Sequence, residues 1–140
     1  STLSSSSAAS DVYKRQISSF GYSQISDEEH KALLEKSPFN QMYPKFMSKD
    51  AAAYFTQWNK LFTEGPISTK EARLSAIAAS AAMRCEYCIT AQVHMAKAAG
   101  VSEEEIKAAI QVAAEVARFS TLLYGNEFGQ QKLKNILGVE

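Results

Sequence analysis

This 140-residue chain contains two cysteines, and they stand three apart. The stretch RCEYCITAQVH, residues 84–94, holds both Cys85 and Cys88, with His94 six residues beyond the second. A thiol attacks only as its thiolate, so a reactive cysteine needs surroundings that lower its pKa. The start of a helix does so, because its free N–H groups and dipole favour negative charge. Residues i and i+3 share a helix face, which brings two such sulfurs within bridging range. One helix is expected to end near Arg84 and another to begin near Cys85, and Arg84 adds positive charge. Four readings stay open on these residues alone: a redox dithiol, which motif and position favour; a zinc site; two small apolar core residues; and chemistry that leaves the thiols unused. Zinc wants four ligands. Beyond the cysteines the chain has only His30 and His94 as histidines, so zinc would need a distant one or a neighbouring subunit.

The elements that must position this pair read as helices with clear punctuation. Ser26 followed by Asp27, Glu28 and Glu29 is an N-cap with an acidic first turn. It opens a helix to about Lys36 with Ala32, Leu33 and Leu34 inward, and Pro38 ends it. Residues 42–47 suggest a helical turn around Pro44, and Ser48 or Asp50 opens the next helix. There Tyr54, Phe55, Trp58, Leu61 and Phe62 form one broad apolar face, a core or oligomer contact before an aromatic substrate wall. Gly65-Pro66 is a turn. Ser68 and Glu71 form a capping box for a helix carrying Leu74, Ile77, Ala78, Ala81 and Ala82 on one side. A helix over residues 86–99 should follow, closed by Gly100 in the left-handed conformation. Ser102 and Glu105 form a second capping box. The helix they start repeats Ile106, Ile110, Ala113, Ala117, Ser120 and Tyr124, widened by Val112, Val116, Phe119 and Leu123. Lys107, Gln111, Glu115 and Arg118 leave it only a narrow polar stripe, so it is expected to be central and nearly surrounded, with Gly125 at its end. Residues 128–137 suggest a last short helix. No segment alternates with period two, so the fold class is all-α.

Composition narrows the rest. The length fits one domain with one substantial core. The apolar fraction of 46% is that of an ordinary globular protein. Fifteen basic side chains balance fifteen acidic ones. With no basic face, no nucleic-acid partner is expected, and zero net charge removes a barrier to self-association. No run of about 18 apolar residues is present, so no membrane partner is expected. Two cysteines without a secretory signal fit a reducing cytoplasm. Residues 1–16, STLSSSSAASDVYKRQ, hold six serines in the first ten and no period. They are expected to be a disordered tail or read-through of cloning sequence, leaving residues 17–140 as a single domain.

Residues 65–125 resemble the carboxymuconolactone decarboxylase-like superfamily, and within it the AhpD-like alkylhydroperoxidase branch. The likeness is carried by EARLSAIAASAAM, then CEYC, then ITAQVHMAKAAG, then a long helix capped by S-x-x-E. It implies an all-helical domain with the C-x-x-C at a helix N-terminus, packed as trimers or hexamers. It also implies a dithiol–disulfide cycle in which Cys88 attacks a peroxide and Cys85 resolves it, with a lipoyl-type dithiol as reductant and no bound cofactor or metal. A glutamate before the motif and a histidine four residues after its second cysteine relay the proton in that branch. Here those positions are Arg73 and Gln92. Gln92 sits one turn from Cys88 and can hydrogen-bond to a sulfur, but takes up no proton at neutral pH. His94 lies about 240° round the helix from Cys88 and reads as a surface or subunit-contact residue before a relocated relay. Glu71, Glu86 and Glu115 are the other acids that could stand in. Glu86 reads more readily as solvated, and Glu115 as an ion-pair partner of Arg118. Tyr87 packs or lines a pocket. His30 has no partner that the sequence names.

The expected activity is therefore that of a thiol-disulfide oxidoreductase on small hydroperoxides, or on lipoyl or protein disulfides, with a redox partner protein. General acid–base help is worth about 10²–10⁴-fold, so loss of the relay points to a weak peroxidase. Two alternatives compete. One is a decarboxylase-type lyase on a small lactone acid, with Arg73, Arg84 or Arg118 binding carboxylate. The other is a helical oligomer without catalysis.

Overall fold

A computed structural model describes residues 25–139. The serine-rich stretch of residues 1–16 lies outside them. Every regular element among the described residues is helical. The chain divides into two compact units, residues 1–58 and 59–140.

In the first unit, α1 spans Asp27–Lys36. The Ser26 hydroxyl accepts the Glu29 N–H at 3.1 Å, and three carboxylates follow in the first turn, as an N-cap requires. Ser37, preceding Pro38, is extended, which stops the helix. Two 3₁₀ turns follow, Pro38–Met42 and Lys45–Met47, the second with Pro44 as its N-cap. Helix α2, Ser48–Thr63, begins at the buried Ser48, and its last five residues, 59–63, belong to the second unit. His30 Nδ1 stands 2.7 Å from the Ser48 hydroxyl, which supplies the partner the sequence left unnamed. Lys45 pairs with Asp27 and Lys49 with Glu29, tying the start of α2 back to α1. Leu33 and Leu34 are half-buried while Ala32 faces solvent, so the inward stripe of α1 is narrower than expected. Phe55 gathers Phe39, Tyr43 and Tyr54, with ring centroids 5.6 to 6.1 Å away.

In the second unit, α3 spans Thr69–Ala82, α4 Glu86–Ala98, α5 Glu103–Gly125 and α6 Gln130–Leu137. The core is Ile77, Ala96, Val101 and Ile106, flanked by Leu74, Val93 and Ala109. Helix α3 packs on both α4 and α5 and is the central one of the three. Its alanines and serines let both neighbours approach closely.

The expectation that α5 is surrounded fails within one chain. Only Ile106 and Ala113 of α5 are buried. Val112, Val116, Phe119 and Tyr124 stand 57 to 82% exposed. The reason is geometric: one helix of small residues cannot cover an apolar face that runs nearly round a 23-residue helix.

The helix ends repeat one device. After α4, Gly100 turns left-handed at φ 79°, its N–H reaches Lys97 O, and the Val101 N–H reaches Ala96 O. This is the Schellman arrangement, and it points Val101 into the core. The helix α5 ends at Gly125 as expected, and the left-handed residue that follows it is Glu127, φ 47°. After α3 it is Arg84, φ 56°.

Candidate functional site

The backbone fixes the cysteine pair from two sides. At the end of α3 the Arg84 N–H bonds to Ala81 O, and the Cys85 N–H bonds to Ser80 O at 3.1 Å. Cys85 is thus the last residue of the Schellman turn. It is also the N-cap of α4, with extended φ −91° and ψ 98°. Its Sγ accepts the Cys88 N–H at 3.2 Å, as a serine oxygen would at a helix start. The two cysteines are joined as a disulfide, with Cα atoms 5.2 Å apart, inside the usual range for such a bond. Both are partly exposed. Around them Met83 is 75% and Tyr87 91% exposed, so Tyr87 lines no interior pocket of the single chain.

One turn further along α4 the site changes character. Gln92 is buried, and its Oε1 accepts a hydrogen bond from Arg73 Nη1 at 3.0 Å. Arg73, on α3, is buried too, and its guanidinium lies over the Phe62 ring, 4.0 Å from the centroid. Burial pushes the Arg73 pKa down, yet guanidinium is so basic that it stays a cation. The two positions where the resemblance places a glutamate and a histidine are therefore a bonded pair here, composed of a permanent cation and a neutral amide. Neither can take up a proton at neutral pH.

The other candidate residues are dispersed. The Glu71 carboxylate accepts the Ser68 N–H at 2.8 Å and closes the α3 capping box, which holds its pKa below the usual carboxylate value. Glu86 and His94 are exposed. Glu115 accepts from Gln111 at 3.1 Å and pairs with Arg118 at 3.6 Å on the exposed stripe. Arg84, exposed, contributes its left-handed backbone to the turn. No group of three or more His, Cys, Asp or Glu side chains among the described residues is placed to hold a metal ion. Sequence patterns missed the Arg73–Gln92 bond, because a separation of 19 residues across two helices leaves no periodic signal. They also missed Arg84, since no glycine marks its conformation.

An all-helical domain carrying a C-x-x-C at the first turn of an internal helix narrows the class sharply. The model of the Carboxymuconolactone decarboxylase family matches residues 49–130, more than half of the chain, and the chain belongs to that family. The AhpD-like branch is consistent with this membership. Comparison with curated proteins and with solved structures gave no significant match. Among the described residues no helix is long and apolar enough to cross a membrane.

Proposed function

We propose that this chain is a dithiol–disulfide oxidoreductase of the AhpD-like kind that cycles Cys85 and Cys88 between thiol and disulfide. The observation that carries the reading is the Cys85–Cys88 bridge, partly exposed and capping the first turn of α4. Substrates are small disulfides, lipoyl or protein disulfides, and hydroperoxides. A lipoyl-type or other dithiol, free or on a partner protein, restores the reduced pair in a reducing cytoplasm. Turnover of hydroperoxide is weak, because Arg73 and Gln92 supply no titrating base or acid beside Cys88. The protein works as a homo-oligomer, a trimer or hexamer by resemblance. Zero net charge and the open apolar face of α5 support that assembly, with a second copy seated against Val112, Val116 and Phe119.

Reduced protein incubated with lipoamide, a chromogenic disulfide or an alkyl hydroperoxide should turn over, and alkylation of both thiols should abolish it. Activity on a lactone acid that survives alkylation would move the assignment to the lyase chemistry of the family. Thiols no faster than a free model thiol would leave only a structural oligomer. Light scattering on purified protein reads the assembly, and Val116→Glu should shift it towards the single chain.

A further inference from the structure

We propose that the two cysteines exchange the roles that the resemblance implies: Cys85 is the attacking thiolate and Cys88 the resolving thiol. The inference rests on the dithiol–disulfide reading above and settles which sulfur opens the exchange. The first-turn N–H groups of a helix lack partners within it. In α4 the Cys85 sulfur receives one of them, the Cys88 N–H, at 3.2 Å. A hydrogen bond to an anion is roughly twice as strong as one to a neutral acceptor, so this contact favours Cys85 as thiolate. The dipole of the 13-residue helix acts in the same direction.

Cys88 has no comparable support. It occupies the third helical position, and its own N–H points at the other sulfur. The residue one turn on that could have taken its proton is Gln92, whose Oε1 is held by Arg73. Arg84 and Glu86 flank Cys85 and are exposed. From α3, packed against α4, Glu71 is engaged in its own cap, while Arg73 is the charge on the Cys88 side. Arg73 does favour an anion at Cys88. It acts through space beyond a neutral amide and under the Phe62 ring, whereas the N–H touches the Cys85 sulfur directly.

The exchange then runs as follows. The Cys85 thiolate attacks one sulfur of a substrate disulfide R–S–S–R′. A Cys85–S–R bond forms, the S–S bond breaks, and R′S⁻ leaves and takes a proton from water. Cys88 gives its proton to solvent and attacks the Cys85 sulfur. The Cys85–Cys88 bond forms and RS⁻ leaves. The dithiol is oxidised by two electrons and the substrate disulfide is reduced to two thiols. A thiolate leaves without a proton donor. An alkoxide expelled from a hydroperoxide needs one, and neither Gln92 nor Arg73 supplies it. The preferred substrate class is therefore disulfides rather than hydroperoxides.

The test compares Cys88→Ser, which leaves Cys85, with Cys85→Ser, which leaves Cys88. Thiolate ultraviolet absorbance against pH gives each pKa, and a chromogenic aromatic disulfide gives each rate. Cys85 should titrate about one unit or more below Cys88 and react about tenfold faster near neutral pH. Both variants lack a resolving thiol and trap the mixed disulfide, and Cys88→Ser should form it about tenfold sooner than Cys85→Ser. A lower pKa and faster reaction at Cys88, or equal values at both, overturns the reversal and leaves the dithiol reading standing. Two ordinary pKa values together with no disulfide turnover by the unaltered protein overturn both. Should either variant fail to fold, limiting iodoacetamide on the reduced unaltered protein keeps the question decidable. Peptide mapping should then find Cys85 labelled first, and Cys88 labelled first is the contrary result.

Discussion

The starts of α4 and α5 share a register and differ in what fills it. In α5 the N-cap is Ser102 and the third helical residue is Glu105; in α4 the same two positions are Cys85 and Cys88. Helix α3 repeats the α5 solution with Ser68 and Glu71. In the serine–glutamate boxes, two orphan N–H groups are satisfied reciprocally. In α4 a sulfur takes one N–H, and the position of the closing carboxylate goes to a second sulfur. The connections differ as well. Residues 99–102 separate α4 from α5, with Val101 closing the Schellman turn and Ser102 capping. Residues 83–85 separate α3 from α4, so Cys85 performs both tasks. The shorter link pins the Cys85 backbone on both sides. A helix start that elsewhere holds a full capping box here holds a disulfide, at the expense of half a cap.

Transplanting the box into α4 should have the largest effect. Cys85→Ser with Cys88→Glu converts the start of α4 into that of α3 or α5. Disulfide exchange should fall to the uncatalysed background in a stopped-flow assay. Stability against urea should rise by about 1 kcal/mol relative to the reduced unaltered protein, since a full capping box is worth about that much. Loss of stability instead would mean that the sulfurs fit this turn better than a box does.

Ser102→Ala should cost about 1 kcal/mol, because it removes the acceptor of the Glu105 N–H and one donor to the Glu105 carboxylate. Ser68→Ala should cost somewhat less, since Glu71 lacks the lysine that Glu105 has in Lys70, 2.6 Å away. Equal losses in denaturant titrations would show that the lysine adds nothing to the cap.

How much of this was legible follows from where each signal lies. Both S-x-x-E boxes, the Gly100 turn and the C-x-x-C at a helix start are local, and a run of four residues carries each. The helix boundaries follow from them to within a residue or two. What escaped was either non-local or written in the wrong residue. The Arg73–Gln92 bond joins two helices, and a buried arginine on an alanine-rich helix resembles a surface residue until Phe62 and Gln92 are placed beside it. The exposed face of α5 reads as core because apolar periodicity states which residues share a side of the helix, not what lies against them. The sequence marks Gly100 as left-handed, yet Arg84 and Glu127 adopt the same conformation, because backbone hydrogen bonds of the turn hold them there.

Acid should separate the two kinds of helix start. The Glu105 pKa is pulled down to about 2, chiefly by Lys70 and then by the Ser102 N–H and hydroxyl. Glu71 is lowered as well, by Ser68. A carboxylate whose folded pKa lies below its unfolded value, near 4.5, stabilises fully above that value. Its contribution is lost as pH falls from about 4.5 towards about 2. The start of α5 should therefore loosen across that window, and the start of α3 should loosen as pH falls below the ordinary carboxylate range, in hydrogen exchange at their first-turn amides. The start of α4 is capped by a sulfur and not by a carboxylate, and it should change less. Glu105→Gln should flatten the response of α5 and leave that of α4 unaltered. Equal loosening of all three would mean that the cap charges do not set local stability.

The smallest expected effect lies in the turns that precede the two starts. A non-glycine residue in the left-handed region costs about 1–2 kcal/mol relative to a right-handed one, and glycine escapes this at an entropic cost of about 0.4–1 kcal/mol in the unfolded chain. At position 100 a Cβ would meet nothing within 4 Å, so Gly100→Ala tests the backbone alone and should destabilise by about 1 kcal/mol. Arg84→Gly runs the other way and should stabilise by about 0.5 kcal/mol once the lost chain stiffness is subtracted. Its value to the comparison is that it leaves both sulfurs and both turn hydrogen bonds in place. Exchange by Cys85 should then fall no more than about twofold, the share that an exposed Arg84 charge contributes across solvent. A tenfold or greater fall, in a variant that is no less stable, would show that the rigidity of Arg84, and not merely the hydrogen bonds around it, holds the Cys85 sulfur at the mouth of α4.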